Sequence, residues 1–415
     1  MAEMILCLVL LITRPFTMLA LPTTTTTTTS KSSITHRVIV IGKIIIDEYG
    51  SPEDDSKPTI SIGGGGPQAA WGAAASLAAR DLLESDHLDD DESGADERKN
   101  PAPPSQPVTF LGPVGKDWSP EDALELGKSI GPALDRSPIF IPSEDHITPR
   151  IRLWHDDDQA IQWYAVNDSF GPKGADGLWR NRPSADDIAV AIDDTIESSS
   201  GKKDAVVVLH SIMEAGASAA SDGMDCQFLR NPHLVRRIDY IGIEPIAFTN
   251  AKTGQVSVED ATSCKNFIES FSSSLQALCP DNHLAVTLED IGFLDPLPEG
   301  LCVAIREGPK GSTIIFQDKG ESNRQLRRQV PAATLLTPNK EPVNPTGAGN
   351  AYSAAYTALL GTGSLPLEAA CLATAVGAVV CEYDQLPPWE WSVIERIRRG
   401  AEEVRQRIMR DGGIE

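Results

Sequence analysis

The sequence predicts an α/β protein, a doubly wound and mostly parallel sheet with helices on both faces and a small β lid. Three observations point there. Continuous β-branched and apolar runs recur along the chain, as in strands buried on both faces. Helical stretches lie between several of them, the alternation of a parallel sheet. Two corners that open helices are glycine-rich, and both helices are lined with alanine, which lets a helix lie close to a sheet.

In chain order, Arg37–Ile46 (RVIVIGKIII) reads as one continuous buried strand carrying Asp47 at its C-terminal end, where ligands of open α/β sheets gather. By itself Asp47 reads equally as a turn-capping carboxylate. Thr59–Ile62 is a short strand leading into Gly63, Gly64, Gly65, Gly66 and Pro67, then a helix over Gln68–Leu83. Val108–Leu111 is a strand ending in Gly112-Pro113-Val114-Gly115-Lys116-Asp117, whose spacing is not that of a P-loop. Arg150–His155 and Gln159–Ala165 alternate around Asp156, Asp157 and Asp158 and read as a β-hairpin suited to a lid. Ala205–His210, Tyr240–Ile243, Leu284–Leu288, Leu301–Ile305 and Thr313–Phe316 supply further strands. Helices are expected over Ser184–Ile196, with Ser184 as N-cap, and over Cys264–Leu278. Arg306-Glu307-Gly308-Pro309-Lys310-Gly311 is a tight glycine turn. Leu365–Glu382 is a buried apolar helix, and Glu390–Arg410 is a surface helix with Ile394, Ile397, Val404 and Ile408 on one side.

The last glycine corner is Asn344-Pro345-Thr346-Gly347-Ala348-Gly349-Asn350, running into an alanine-rich helix. Thr346 is placed to cap it. Gly347 and Gly349 bare the backbone, so the free N–H groups and positive dipole end of the helix can meet an anion, phosphate above all. Read alone, this is also an ordinary tight turn before a core helix.

Composition excludes some classes. The chain has 415 residues and a formal net charge of -23, from which no basic nucleic-acid face can be assembled. Much of the acid falls in Leu83–Pro107, which reads as a disordered surface insertion. The seven cysteines include no CxxC pair, so neither a zinc site nor a disulfide framework is indicated. Met4–Ile12 is apolar but too short to span a bilayer, and no stable membrane insertion is expected. From Met4 to Ile46 there is no Asp or Glu, and Thr23–Thr29 precede further serines. The stretch resembles a targeting leader, a plastid one among the choices, with a misassigned gene start as the alternative. The compartment is accordingly cytoplasmic or organellar.

Three glycine sites in this order, with an acid first and an anion-binding helix start last, resemble the PfkB-type carbohydrate kinase (ribokinase-like) family. The resemblance divides the chain into a leader or disordered N-terminus over 1–36 and a kinase-like domain over 37–415. The domain would carry the acidic insertion at 84–107 and lid segments near 48–62 and 148–166. It implies ATP and Mg²⁺ and a small hydroxylated substrate, and it admits a homodimer through the lid. Asp47, Gly63, Gly64, Gly65 and Gln68 would hold the substrate, Gln68 standing where many members have Asn. Arg306, Gly308, Gly311 and Thr346 would lie on the nucleotide side, and Gly347, Ala348 and Gly349 would form the anion hole. Gly112, Gly115 and Asp117 match a structural turn. The metal motif is degenerate and leaves Glu289 or Asp290.

Asn350 departs from the pattern. The family writes GAGD where this chain has GAGN, and an amide has no basic lone pair with which to take a proton. Ile45-Ile46-Asp47-Glu48, Glu244-Pro245 and GAGN are closer to the maintenance-of-killer-type branch. Two functions follow from the resemblance. One is ATP-dependent phosphoryl transfer to a sugar or nucleoside-like hydroxyl, weakened at Asn350. The other is a pseudokinase that binds a nucleotide or metabolite without turnover.

Overall fold

A computed structural model describes residues 36–50, 58–85, 104–134, 137–142, 147–155, 161–166, 184–197, 206–214, 231–246, 258–278, 283–289, 301–317, 325–334 and 346–411. They belong to one unit, Thr35–Glu415. The expected leader, apart from His36, lies outside them.

The run that reads as one strand is two. The first strand, β1, is His36–Ile41 and the second, β2, is Ile45–Tyr49, and they lie in different sheets. The chain leaves β1 at Gly42, where Gly66 packs against it so closely that a Cβ on Gly66 would lie 2.5 Å from the Gly42 carbonyl. The Gly66 N–H donates to the Lys43 carbonyl at 3.0 Å. Asp47 therefore stands in the middle of β2, paired with Ser61 and Ile151, and not at the end of a central strand.

Thr59–Gly63 forms β3, Val108–Val114 β4, Ile139–Pro142 β5, Arg150–His155 β6 and Ile161–Ala165 β7. Val206–Glu214 is β8, Tyr240–Ile246 β9, His283–Glu289 β10, Leu301–Arg306 β11, Ser312–Gln317 β12 and Gln325–Val330 β13. The helices are α1 (Gly65–Ser85), α2 (Pro120–Ile130), α3 (Ala185–Glu197), the short α4 (Pro232–Val235), α5 (Val258–Leu278), α6 (Ala348–Gly361), α7 (Pro366–Val380) and α8 (Trp391–Arg410). Among the described residues the strands make two sheets. The larger has the order β13-β12-β11-β10-β9-β8-β1-β4-β5 and is parallel except at the β11–β12–β13 edge. The smaller has the order β3-β2-β6-β7, and its β6–β7 pair is the expected hairpin.

Strand alternation sorts the core into two layers. Val38, Val40 and Val208 face the side covered by α1, α6, α7 and α8, while Ile39, Ile41, Val207 and Leu209 face α3 and α5. Ser184 and Asp187 form the capping box of α3, each side chain accepting the other's backbone N–H. α1 extends to Ser85, and Ser105 donates its N–H to Asp81 at 2.8 Å, so both ends of the stretch read as an insertion are structured. Residues 86–103 lie outside the described set. Cys302, Cys371 and Cys381 are free thiols. Among the described residues no helix is long and apolar enough to cross a membrane.

The second sheet is tied together by charge. Glu48 on β2 faces Arg152 on β6 in register and accepts from its Nη2 at 2.6 Å and from Arg150 Nη1 at 3.3 Å. Burial pushes the Glu48 carboxyl up, but the hydrogen bonds from Arg152 and Arg150 outweigh it and hold it below the usual range. The turn at Gly112–Asp117 anchors the same sheet: Asp117 accepts from the Thr148 N–H at 2.6 Å, and Gly115 donates to the Thr148 hydroxyl at 3.0 Å.

α1 and α6 cross at backbone contact. A Cβ on Gly72 would lie 2.4 Å from the Ala351 carbonyl oxygen and 2.6 Å from its Cα. Gly72→Ala must therefore force two helices apart, and overpacking of this kind costs about 1–3 kcal/mol. The variant is expected to unfold at lower denaturant than wild type with an unchanged slope, and an unchanged midpoint would disprove the close approach.

Candidate functional site

The site forms where the second sheet, the start of α1 and the start of α6 come together. The cleft is lined by Asp47, Tyr49, Ser61, Ile62 and Gly63 from the second sheet, Gln68 from α1 and Thr346 from the turn before α6. Val380 at the end of α7 and, after it, Tyr383, Asp384, Gln385 and Leu386 complete the lining. Gly63 of the first glycine corner and Thr346, the residue before the second, thus line one cleft.

On the sheet side, Asp47 is 3% exposed and its carboxylate lies flat against Gly63, where a Cβ would be 2.1 Å from Oδ2. Burial raises its pKa to about 7. Gly64 has φ +92°, and a Cβ there would strike the Lys43 carbonyl. Gly65 begins α1.

On the helix side, the N-cap is Gly347 with φ +84°, and no side chain caps α6. The expected Thr346 cap is not made, because glycine in the left-handed region turns the chain while Thr346 faces the cleft. A Cβ on Gly347 would lie 2.1 Å from the Gln68 amide carbon, and one on Gly349 would lie 2.4 Å from Arg306 Nη1. The bare backbone of the helix start is therefore in direct contact with a polar amide and a guanidinium. The two missing Cβ atoms make room for Gln68 and Arg306, which brings a cation to the positive end of a fourteen-residue helix, and that combination suits an anion such as phosphate.

Arg306 ends β11. Its Nη1 donates to Glu244 Oε1 at 2.5 Å and to Ser353 Oγ at 3.3 Å. The Asn350 amide is oriented by Glu244: with its nitrogen facing the carboxylate it donates to both oxygens, at 3.1 and 3.2 Å. The opposite side of the amide lies 3.5 Å from Gln68 Oε1. Behind this layer, His210 is fully buried, with Nδ1 3.1 Å from the Thr357 hydroxyl. Burial and then the nearby Arg306 charge lower its pKa to about 3, so it is neutral.

The structure brings together Asp47, Gly63, Gly64, Gly65, Gln68, Thr346, Gly347, Gly349, Asn350 and Arg306. Gly308 (φ +55°) and Gly311 (φ +98°) shape the turn between β11 and β12, and a Cβ on Gly311 would strike the Val330 carbonyl oxygen. Glu289 ends β10 in register with Arg306; Asp290 and Asn344 lie outside the described residues. Among the described residues no three His, Cys, Asp or Glu side chains cluster as a metal site. Sequence reasoning read Glu244 only as part of a Glu-Pro pair, and it did not find Tyr383, Asp384 and Gln385. Nothing in the apolar helix before those three marks the turn after it as chemical.

No family model matches the chain, and no curated protein matches it. Solved structures do. A candidate ribokinase II from Escherichia coli, in its apo form, is 15% identical with a TM-score of 0.51, covering 88% of this chain and 99% of its own. An uncharacterized sugar kinase from Pyrococcus horikoshii (15% identical, TM-score 0.49) covers 89% of this chain and 99% of its own. Ribokinase from Arabidopsis thaliana, complexed with ribose and ATP (15% identical, TM-score 0.45), covers 88% and 99%. The fold assignment rests on the first of these. The architecture is an α/β ribokinase-like fold.

The Asp47 shift has a stability consequence. With a folded pKa of about 7 against an ordinary 3.8, the folded state binds its proton more tightly, so stability falls as pH rises from about 4 to about 7. Asp47→Asn removes that loss. The variant is expected to melt above wild type at pH 8 and close to it at pH 4, and equal differences at the two pH values would refute the buried, proton-holding carboxyl.

Proposed function

We propose that this chain transfers the terminal phosphoryl group of ATP to a hydroxyl of a small sugar- or nucleoside-like molecule, at reduced turnover. The observation that carries the reading is the shared cleft, with Asp47 and Gly63 on one wall and Gln68 and Thr346 at the foot of α6 on the other. Asp47 would accept from substrate hydroxyls, and the amides of Gly347, Ala348 and Gly349 would meet the transferred phosphoryl group. Glu289 or Asp290 would hold Mg²⁺, which binds through one or two carboxylates plus phosphate oxygens and so needs no protein cage. The ion neutralises charge on the phosphates when bound. Positioning and electrostatics supply most of such a reaction, so a site without a base can still turn over. Losing the base removes roughly 10²–10⁴ in rate.

The pseudokinase reading is favoured by one observation, the Asn350 amide held on Glu244 where a base would act. The same GAGN, with Glu244-Pro245, supports the maintenance-of-killer-type branch.

The test is thermal shift of the full chain with ATP–Mg²⁺, followed by phosphotransfer assays on a panel of sugars, polyols and nucleosides. The expected result is stabilisation by ATP–Mg²⁺ and slow phosphorylation of at least one panel member. Stabilisation with no product across the panel establishes the pseudokinase reading instead, and no response to nucleotide or panel overturns both.

A further inference from the structure

Three polar side chains meet at the foot of α6 in an order that fixes the direction of their hydrogen bonds. Glu244 lies innermost, 2% exposed and paired with Arg306. Asn350 comes next, with one atom of its amide 3.1 and 3.2 Å from the two Glu244 oxygens. Gln68 comes last, 3.5 Å from the Asn350 amide and lining the cleft beside Asp47 and Thr346. An ionised carboxylate only accepts, so the Asn350 nitrogen faces Glu244 and its carbonyl oxygen faces Gln68. Opposite that oxygen, Gln68 is satisfied only with its amide nitrogen turned to Asn350, an end-for-end reversal that exchanges the Oε1 now 3.5 Å from the amide for Nε2 and leaves the carbonyl oxygen on the other side.

We propose that Glu244 is a positioning residue: its carboxylate sets the direction of the Asn350–Gln68 amide pair, so that the cleft offers a fixed acceptor and selects a hydroxyl donor there. The hydroxylated ligand rests on the function proposed above; the charge arrangement does not.

The same geometry explains why position 350 carries an amide. A carboxylate there would face Glu244 across the distance now spanned by an amide hydrogen bond. Among the described residues the charged groups at this point are Glu244 from β9 and Arg306 from β11; the neutral His210 of β8 lies behind them, and Asp47 of β2 lines the cleft beside Gln68 in wild type and variant alike. One guanidinium would then serve two anions, and close carboxylates of this kind share a proton. Asn350 and Glu244 are a matched pair, with the carboxylate within β9 and the amide at the helix start. Asn350→Asp alone therefore does not restore a base, contrary to what the motif by itself suggests.

The test is a double-mutant cycle on the full chain, read by thermal unfolding at pH 5 and pH 8, with thermal shifts by ATP–Mg²⁺ and by ribose in the same samples. Asn350→Asp is expected to lower the melting temperature at pH 8 and less so at pH 5, where the two carboxyls can share a proton. E244Q/N350D is expected to melt above the sum of the two single losses. Asn350→Leu, which removes the amide without adding charge, is expected to lose the same amount at both pH values. N350D melting like wild type at both pH values, or with a pH-independent loss, overturns the proposal, and so does strict additivity in the double variant. The pH dependence of N350D decides the matter even where Glu244→Gln fails to fold. Coupling without any response to ATP–Mg²⁺ or ribose supports the positioning role and counts against the proposed function; nucleotide and ribose responses without coupling do the reverse.

Discussion

The site exists because two helix backbones touch. Ala69, Ala70, Ala73 and Ala74 on α1 and Ala351, Ala354 and Ala355 on α6 are fully buried, and Gly72 meets Ala351 with no side chain between them. Helices that approach this closely need glycine or alanine along the seam. The seam runs near both helix starts, which brings Gln68 against Gly347 and joins the two glycine corners in one cleft. A larger residue at the crossing would separate the corners before it changed any residue of the site.

Behind the cleft lies a buried ion pair. Glu244 and Arg306 are 2% and 15% exposed at their side chains. Pairs of this kind add little net stability, yet removing one partner costs about 3–5 kcal/mol because the other charge is stranded. Their place in the structure is thus better explained by what they orient than by what they stabilise. Arg306 lies over the bare backbone at Gly349, and Glu244 holds the amide of Asn350. His210 lies behind them, where burial and then the guanidinium charge disfavour its protonated form.

Much of the fold was legible because buried parallel strands leave unbroken apolar runs and small-faced helices leave alanine rows. The failures have physical causes. β13 (QLRRQV) is an edge strand whose residues alternate between exposed and half-buried up to the buried Val330, so it lacks the apolar signature of the interior. The break between β1 and β2 is hidden because Ile44 is as buried as the strands on either side, and only Gly42 marks the change of sheet. In the site, the glycine corners could be read because glycine at a turn announces a conformational demand. Glu244 could be read only as half of a Glu-Pro pair and not as a site residue, since its partners are 62 and 106 positions away. The burial of Asp47 against Gly63 is likewise a tertiary fact that no local pattern announces.

The short passage from β1 to β2 has a mechanical corollary. Only Gly42, Lys43 and Ile44 separate a strand at the heart of the large sheet from the strand that carries Asp47, and three residues reach at most about 11 Å when fully drawn out. Ile44 is fully buried and the Lys43 carbonyl is tied to Gly66, so that reach is already committed. Asp47 consequently has a rooted address: whatever rearrangement the outer strands undergo, the carboxylate turns about a fixed pivot and cannot be carried away from the helix starts.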